Sequence, residues 1–232
     1  ATPRLIAPPE GIHGYRLRRL QPLPSPVDGT PVPSIGTVSV LGDRSMEQDR
    51  VPNTVVEVRS LSAGAWHTLA LLADGSVQGW GSNADGECNP PKELGAARSI
   101  SAGGHFSLAL REDGSVVAWG RNDLGQTSVP DLPLPATQLA AGFSHALVRL
   151  TDGSVRGWGR NDFGQATPPT GLHDVISVDA GFDHSVALRA DGTVVAWGAN
   201  AFGQSRPPEG LGRVQAIAAG ADHTLALLED GR

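Results

Sequence analysis

An Asp-Gly dipeptide recurs along this 232-residue chain at a constant interval of 39 residues. Five occurrences keep this interval: Asp74-Gly75, Asp113-Gly114, Asp152-Gly153, Asp191-Gly192 and Asp230-Gly231. A tryptophan keeps the same period, at Trp80, Trp119, Trp158 and Trp197. Each unit of a repeat protein is one supersecondary structure that buries its apolar face against its neighbours. A fixed period therefore constrains the fold more strongly than any other feature of the chain.

Each repeat contains three short runs of β-favouring residues separated by turn residues. In one copy these runs are 175–180, 184–188 and 193–197, and none has a helical period. Asp-Gly between two such runs favours a two-residue hairpin, because glycine accepts the positive φ that the turn requires. The sequence therefore predicts an all-β fold in which each repeat forms an antiparallel meander. Repeats of about 40 residues with short strands indicate a β-propeller rather than a solenoid.

Apolar residues recur at two positions of every repeat and are expected to form the core. The first-strand position is occupied by Leu61, Ile100, Leu139, Val178 and Ile217. The second-strand position is occupied by Leu69, Leu108, Leu147, Val186 and Leu225. Small residues stand immediately before each tryptophan, at Gly79, Ala118, Gly157 and Ala196. Small side chains of this kind suit strands that crowd together near a propeller axis.

A degenerate copy of the repeat precedes the first clear one, because residues 36–42 align with residues 192–198 at the repeat period. We therefore expect propeller repeats over 36–232 and a Pro-rich N-terminal arm over 1–35. Residues near 15–20 of this arm are a candidate for the strand that closes the last blade. With that strand the chain suits six blades if it is complete, and further blades are missing if it is truncated.

The composition argues against nucleic acid and anionic membranes as partners, because the formal net charge is −6. No apolar run reaches the length of a membrane span, which predicts no direct membrane insertion. The single cysteine, Cys88, excludes an intramolecular disulfide. The chain begins Ala-Thr-Pro without methionine, which weakly favours an exported or periplasmic bacterial protein and leaves the compartment open.

Histidines near the Ala-Gly turns are the most conspicuous candidates for chemistry: His67, His105, His145, His184 and His223. One histidine per blade spreads these side chains around a ring, whereas metal ligands converge on one ion at about 2 Å. We therefore expect them to tie strand ends together, and we expect no metal or cofactor site. The turn aspartates are separated in the same way, and no nucleophile motif or phosphate loop occurs. The sequence therefore predicts no catalytic residue.

Strand parity places two sets of loops on one face of the predicted propeller. The first strand of a repeat ends at Ala-Gly, the second returns to Asp-Gly, and the third ends at the Trp-Gly-x-Asn loop. The Ala-Gly turns and the Asn loops therefore share a face, which we call the loop face. Aromatic residues rimmed by acids are typical of a protein-binding hot spot. The predicted partner-binding residues are Trp66, Phe143, Phe163, Phe182, Asp183, Phe202 and Asp222.

The repeats share the motif Ala-Gly-x-x-His-(Ser/Thr)-x-Ala-Leu-x-x-Asp-Gly-(Ser/Thr)-Val-x-x-Trp-Gly-x-Asn-x-x-Gly-Gln. This motif resembles the regulator of chromosome condensation repeat (also called the alpha-tubulin suppressor-like repeat) over about residues 36–232. The resemblance implies a β-propeller, with seven blades if this chain is truncated. The proline soon after Gly-Gln, as at Pro207, is similar to the bacterial branch of the family. That branch includes a propeller-type inhibitor protein that binds β-lactamases.

The function that we expect is a non-catalytic protein-binding propeller, acting through its loop face as an inhibitor-like binder or as a subunit of a larger assembly. The eponymous eukaryotic family member is a guanine-nucleotide exchange factor that uses an inserted wedge and a basic tail. The constant spacing between Gly36 and Gly231 leaves no room for such a wedge. An exchange regulator of a small GTPase is therefore the alternative, and an enzyme with a central-channel site is the second alternative.

Overall fold

The computed structural model describes residues 38, 40 and 45–231. In this part the chain forms five small antiparallel sheets, which we number blades 1 to 5 in chain order. Blades 1 to 4 have three strands in sequence order, and blade 5 has two. The strands are β1 (Val58–Ala63), β2 (His67–Leu72) and β3 (Val77–Gly81) in blade 1; β4 (Ala97–Ala102), β5 (Phe106–Arg111) and β6 (Val116–Gly120) in blade 2; β7 (Ala136–Ala141), β8 (His145–Leu150) and β9 (Val155–Gly159) in blade 3; β10 (Val175–Ala180), β11 (His184–Arg189) and β12 (Val194–Gly198) in blade 4; and β13 (Val214–Ala219) and β14 (Thr224–Leu228) in blade 5.

The all-β prediction is confirmed, and the predicted strands of blade 4 agree with the observed ones to within one residue. One 3₁₀ helix, Lys92–Leu94, joins blades 1 and 2. Within the residues that the structure describes, no helix is long and apolar enough to cross a membrane.

The hairpin turns have the chemistry that the sequence predicts. The glycine of each Asp-Gly pair has a φ between 79° and 86°. In blades 1 to 4 the preceding aspartate accepts hydrogen bonds from the residue two positions later, as Asp113 does from the Ser115 hydroxyl (2.6 Å) and N–H (2.9 Å). The hydroxyl bond, followed by the N–H bond, holds the pKa of the Asp113 carboxyl below its ordinary value. These aspartates therefore act as turn residues, each in its own hairpin.

The hydrophobic core lies between adjacent blades. The cluster shared by blades 2 and 3 contains Leu108 and Leu110 from β5 together with Ala146, Val148 and Trp158 from blade 3. Equivalent clusters join blade 1 to blade 2 and blade 3 to blade 4. Since each blade buries its apolar face against the next one, the stability of a repeat depends on its neighbours.

One predicted core residue is wrong. Leu225 of β14 is 53% exposed, although its equivalents in blades 1 to 4 are fully buried: Leu69, Leu108, Leu147 and Val186. Blade 5 has two strands in the described part of the chain, and no sixth blade follows there to cover it. The repeat pattern alone could not show this difference, because burial here depends on the neighbouring blade.

The reason predicted for the small residues before each tryptophan is also wrong. The two glycines among them lie under the backbone of the following loop: an added Cβ would lie 2.7 Å from the backbone of Cys88 at Gly79 and against the backbone oxygen of Ala166 at Gly157. The strands nearest the axis are the first strands of the blades, since β1, β4, β7, β10 and β13 contact one another in that order. The Ala-Gly pairs at the ends of these strands line the axis.

The segment that precedes blade 1 makes the same contacts as the equivalent loops of the clear repeats. Trp80 Nε1 donates to the backbone oxygen of Gln48 at 2.8 Å. The other three period-keeping tryptophans each donate to the backbone oxygen 32 residues earlier, at 2.9 Å. Glu47 has a φ of 63° where the clear repeats have glycine. The loop geometry is therefore retained although the sequence motif is degenerate.

The predicted Pro-rich arm over 1–35 and the candidate closing strand near 15–20 lie outside the described residues. Of the degenerate copy over 36–42, Val38 packs against the cluster of Ala70, Leu72 and Trp80 in blade 1. The blade number and the closure of the propeller remain predictions.

Candidate protein-binding site

The Ala-Gly turns and the Asn loops lie together at one end of the blades. The N–H of Ser82, where an Asn loop begins, donates to the backbone oxygen of Trp66 in the adjacent turn at 2.9 Å. The Asp-Gly hairpins lie at the opposite ends of the strands, where the Gly75 oxygen accepts from the N–H of Ala97 at the start of the next blade (2.8 Å). The loop face inferred from strand parity is therefore a contiguous surface.

Three of the predicted partner-binding residues belong to a row of rings that crosses the Ala-Gly turns. Phe143 and Phe182, from blades 3 and 4, stack with centroids 4.0 Å apart and an interplanar angle of 10°. His105 of blade 2 packs edge-on against Phe143 at 6.3 Å, and Trp66 of blade 1 lies 6.3 Å from His105. All four side chains are half-buried. Stacked and edge-on rings stabilise one another, so the row forms a rigid apolar surface.

The other two predicted aromatic residues lie at the tips of the Asn loops and are much more exposed. Phe163 is 54% exposed and Phe202 is 78% exposed. The backbone N–H of each donates to the side-chain oxygen of a glutamine two residues later, Gln165 or Gln204, at 2.9 Å. This bond fixes the loop while the ring points away from the core. A fixed loop that presents a large apolar side chain to solvent is suited to contact another molecule.

The sequence analysis missed two apolar residues at the same loop position. Leu124 and Met46 are 45% and 46% exposed, and their N–H groups bond the glutamine two residues later in the same way. They stand one and three repeat periods before Phe163, so the period could have identified them. The analysis selected aromatic rings and therefore passed over these aliphatic side chains.

Arg160 joins the aromatic and acidic residues of blades 3 and 4. Its guanidinium contacts Asp162 at 2.6 Å and Asp183 at 3.2 Å, and it lies 5.8 Å from the centre of the Phe163 ring. Burial raises the pKa of the Asp183 carboxyl, although the charge of Arg160 and the hydrogen bond from Gln165 oppose the shift. The predicted residues Phe163 and Asp183 are thus brought together through a cation that the sequence did not single out.

The remaining predicted residue, Asp222, is exposed on the Ala-Gly turn of blade 5. The neighbouring Asn loop, which carries Phe202, packs on the same blade, because the Thr224 hydroxyl donates to the Gln204 backbone oxygen at 2.9 Å. The structure therefore places the seven predicted residues on one face, but in two groups. One group is the half-buried row of rings with Asp183 and Asp222 on the same set of turns, and the other is the pair of exposed loop tips, Phe163 and Phe202.

Two residue types that define the repeat have structural roles, and for the histidines this role is the one that the sequence analysis predicts. The side-chain oxygen of Asn83 accepts from the N–H of Cys88 (2.9 Å) and braces its loop, and the other asparagines do the same. The His67 ring bonds the Ser107 hydroxyl of the next blade at 2.9 Å. Burial lowers the pKa of His67 from 6.5 to about 4, so this imidazole is neutral at physiological pH.

His105 stands apart from this histidine column, as its displaced position in the sequence indicates. It occupies the turn position before the column, which Phe106 fills in blade 2. Its Nδ1 lies 3.6 Å from Glu87 Oε1 and 3.8 Å from Asp85 Oδ2. Sequence reasoning missed this group because its members come from an Asn loop and from the turn of the next blade.

A shallow depression opens at the axis of the loop face. Ala-Gly turns of all five blades line it, and every lining residue is Ala, Gly or Phe. Among the described residues the lining therefore offers no side chain that could exchange a proton with a substrate, and its Phe members are the stacked rings Phe143 and Phe182.

Comparisons with known proteins support this fold assignment. A sequence profile for the regulator of chromosome condensation (RCC1) repeat matches residues 58–87, 97–126, 136–165 and 175–204, which together make up just over half of the chain. Each match begins at the first strand of a blade and ends in its Asn loop. A search of curated protein sequences finds no significant match.

Solved structures with the same fold include Prp20p from Saccharomyces cerevisiae, at 24% identity and a TM-score of 0.65 over 77% of this chain and 57% of that one. Yeast RCC1 (Prp20) bound to Kap60 gives 25% identity and a TM-score of 0.65, over 77% and 55% of the two chains. The CRINKLY WD40 ectodomain of the Arabidopsis thaliana receptor kinase ACR4 gives 26% identity and a TM-score of 0.62, over 77% and 63%.

This chain therefore spans less than two thirds of the length of these solved chains. Four profile matches in register with four observed blades establish the family from sequence and structure together. The chain belongs to the regulator of chromosome condensation (RCC1) repeat family.

Proposed function

We propose that this chain is a non-catalytic protein-binding propeller that binds another protein through its loop face. The observation that carries the proposal is the column of exposed apolar side chains at the loop tips: Met46, Leu124, Phe163 and Phe202. Exposing large apolar side chains to water is unfavourable. These four occupy one position in four of five successive loops, the second loop having Asp85 there, and they form a surface that a partner would cover.

The charges on the loop face indicate the chemistry of the partner. Acidic side chains from the Asn loops and turns outnumber the arginines that neutralise them, Arg121 and Arg160. The described acids of this face include Asp85, Glu87, Asp123, Asp162, Asp183 and Asp222. A partner that presents an apolar segment flanked by lysine or arginine would complement this surface. The proposed partner is therefore a protein with a basic, partly apolar docking segment.

Relatives with this fold support a protein partner. Yeast Prp20 has been crystallised with Kap60, and Prp20p has been studied for its binding to Gsp1p and histones. Within the proposal, the chain acts as an inhibitor-like binder, as in the bacterial branch, or as a subunit docked in a larger assembly. The lining of the axial depression by Ala, Gly and Phe argues against the central-channel enzyme, because acid-base chemistry requires titratable groups.

The proposal can be tested by affinity capture from the native source, followed by quantitative mass spectrometry and titration of the captured partner. The bait is the wild-type chain beside a Phe163→Ser/Phe202→Ser variant. A matched control is Leu134→Ser, which removes an exposed apolar residue (38% exposed) near the Asp113-Gly114 hairpin, on the opposite face. Both changes lie at exposed positions, so thermal unfolding should remain cooperative in all three proteins.

We expect one protein to be captured by the wild type and by the control, and its affinity for the double variant to fall by about tenfold or more. Capture that is lost with Leu134→Ser and kept by the double variant would contradict the proposal, because it would move the site to the Asp-Gly face. If the partner is a small GTPase, accelerated nucleotide release would instead support the exchange regulator, and unchanged release would exclude it.

A further inference from the structure

Three residues that depart from the repeat pattern converge at the junction of blades 1 and 2. Glu87 stands where the other Asn loops have glutamine, such as Gln126 and Gln165. Asp85 stands where the same loops have an apolar tip, and His105 is the only histidine at its turn position. The nitrogen or oxygen atoms that these three side chains offer lie within 4.8 Å of one another.

The group is held in place by contacts outside it. The Glu87 side chain is completely buried, and it accepts hydrogen bonds from the Ser82 hydroxyl and from the N–H of Asp85, both at 2.8 Å. The His105 ring packs between Trp66 and Phe143. His105 Nδ1 is buried, has no hydrogen-bond partner, and is directed at the two carboxylates. A buried, unpartnered nitrogen that faces two carboxylates is an incomplete arrangement, since buried polar atoms are normally satisfied.

The distances do not fit direct hydrogen bonds. His105 Nδ1 lies 3.6 Å from Glu87 Oε1 and 3.8 Å from Asp85 Oδ2, whereas such bonds are about 2.7 to 3.2 Å long. Ligand atoms that each bind one metal ion at about 2.0 to 2.2 Å are separated by roughly 3 to 4 Å in tetrahedral geometry. The two separations measured from His105 Nδ1 therefore suit one ion placed between the three side chains.

We propose that Asp85, Glu87 and His105 bind one divalent transition-metal ion of the Zn²⁺ type. An imidazole nitrogen combined with carboxylate oxygens is a donor set for such ions, whereas Ca²⁺ and Mg²⁺ prefer all-oxygen sites. Asp85 is partly exposed, at 36% of its side chain, so a water molecule can complete the coordination from solvent. The ion would join an Asn loop of blade 1 to the turn of blade 2 on the loop face.

The proposed site departs from the sequence-based expectation of no metal site, which rests on the spread of the turn histidines. The histidines of the repeat column are spread around the propeller and bond hydroxyls of the next blade, as His67 does with Ser107. His105 lies outside that column, and its proposed co-ligands are its neighbours in space. The proposal does not rest on the proposed protein-binding function, because the site would bind its ion in the isolated chain.

The experiment is isothermal titration calorimetry of the metal-free chain with Zn²⁺, and separately with Mg²⁺ and Ca²⁺. The test variants are Glu87→Gln and His105→Ser, which restore residues that the fold already accepts at these positions, as in Gln126 and Ser144. The control is His173→Ala, because His173 is an exposed histidine (71% of its side chain) that pairs with Asp174 away from the cluster.

We expect the wild type and His173→Ala to bind one equivalent of Zn²⁺, and each test variant to lose about tenfold or more in affinity. Zn²⁺ should also raise the melting temperature of the wild type but not that of the test variants, because binding to the folded state alone stabilises it. Equal Zn²⁺ binding by all proteins would overturn the site, as would the absence of saturable binding. Preferential binding of Ca²⁺ or Mg²⁺ would overturn the class of ion.

Discussion

At the scale of single residues, each buried turn histidine is matched to a hydroxyl in the next blade. His145 bonds Ser185 and His184 bonds Thr224, both at 2.9 Å. Each hydroxyl donates its hydrogen to a backbone oxygen, at 2.8 Å from Ser185 and 2.9 Å from Thr224. Because a hydroxyl has one hydrogen to donate, the histidine ring nitrogen must be the donor in the bond between ring and hydroxyl. Where Phe106 replaces the histidine, Ala146 replaces the hydroxyl residue. The two positions therefore vary together as a pair, which is polar where histidine faces a hydroxyl residue and apolar where Phe106 faces Ala146.

The polar pair of histidine and hydroxyl makes the free energy of unfolding depend on pH. Because burial lowers the folded-state pKa of His67 from 6.5 to about 4, the unfolded chain binds its proton more readily than the folded chain. The free energy of unfolding should therefore be constant above the unfolded pKa and fall as the pH drops from about 6.5 towards about 4. At about pH 5 the part lost through His67 is about 2 kcal/mol.

The matched variant for this prediction is His67→Phe/Ser107→Ala, which copies the Phe106 and Ala146 pair. Urea unfolding in the presence of a chelator, at about pH 8 and about pH 5, measures the change. The wild type should lose about 2 kcal/mol more than the variant over this range. An equal loss in both proteins would show that His67 is protonated as easily in the folded chain as in the unfolded one.

At the scale of elements, the Asn loop is the most constant structure in the chain. A glutamine or glutamate side chain accepts from the N–H two residues earlier in five successive loops. The residue between them has a positive φ in every case. This residue is glycine in four loops and Glu47 in the first. The loop geometry therefore tolerates a side chain at this position, at the cost of left-handed backbone strain.

This strain can be measured by exchanging the residues. A Cβ on Gly125 (φ 78°) would meet no heavy atom within 4 Å, so Gly125→Ala isolates the backbone cost and should destabilise the chain by about 1 kcal/mol. Glu47→Gly should stabilise it by up to about 1 kcal/mol, since its ion pair with Arg50 is exposed and contributes little. Urea unfolding checks both variants, and a destabilising Glu47→Gly would refute the strain argument.

The strands and turns could be predicted from sequence because their signals are local. Asp-Gly and the apolar runs around it are enough to place the strands 175–180 and 184–188 to within one residue. The loop face follows from the same signals by parity. The contacts between blades could not be predicted in this way, because they join residues about 20 to 40 positions apart and depend on how neighbouring sheets are oriented. The stacking of Phe143 on Phe182 and the convergence of Asp85, Glu87 and His105 are contacts of that kind.

At the scale of the whole molecule, burial changes along the series of blades. The second strands of blades 2 and 4 are almost completely buried, whereas β14 of blade 5 is half-buried at most positions and exposed at Leu225. Nearest-neighbour packing explains the difference, because within the described residues blade 5 has a neighbour on one side and lacks a third strand. Stability in a repeat protein is roughly a sum of such neighbour terms.

Hydrogen exchange followed by mass spectrometry should therefore show a gradient in the 232-residue chain. Amides of β14 should exchange faster than those of β5 and β11, because local opening exposes them at a smaller free-energy cost. The comparison of the three strands is internally controlled, since they occupy equivalent positions of the same repeat. Equal protection of β14 would contradict the gradient and would mean that another part of the chain covers this strand.

The tryptophan bonds described for blades 1 to 4 also have a direction. Each indole N–H reaches back to a backbone oxygen 32 residues nearer the N-terminus, so its acceptor has already been synthesised when the tryptophan leaves the ribosome. The histidine bonds reach forward about 40 residues and must wait for the next blade. A growing chain can therefore attach each new blade to the one before it and leave a single unfinished junction at the site of synthesis.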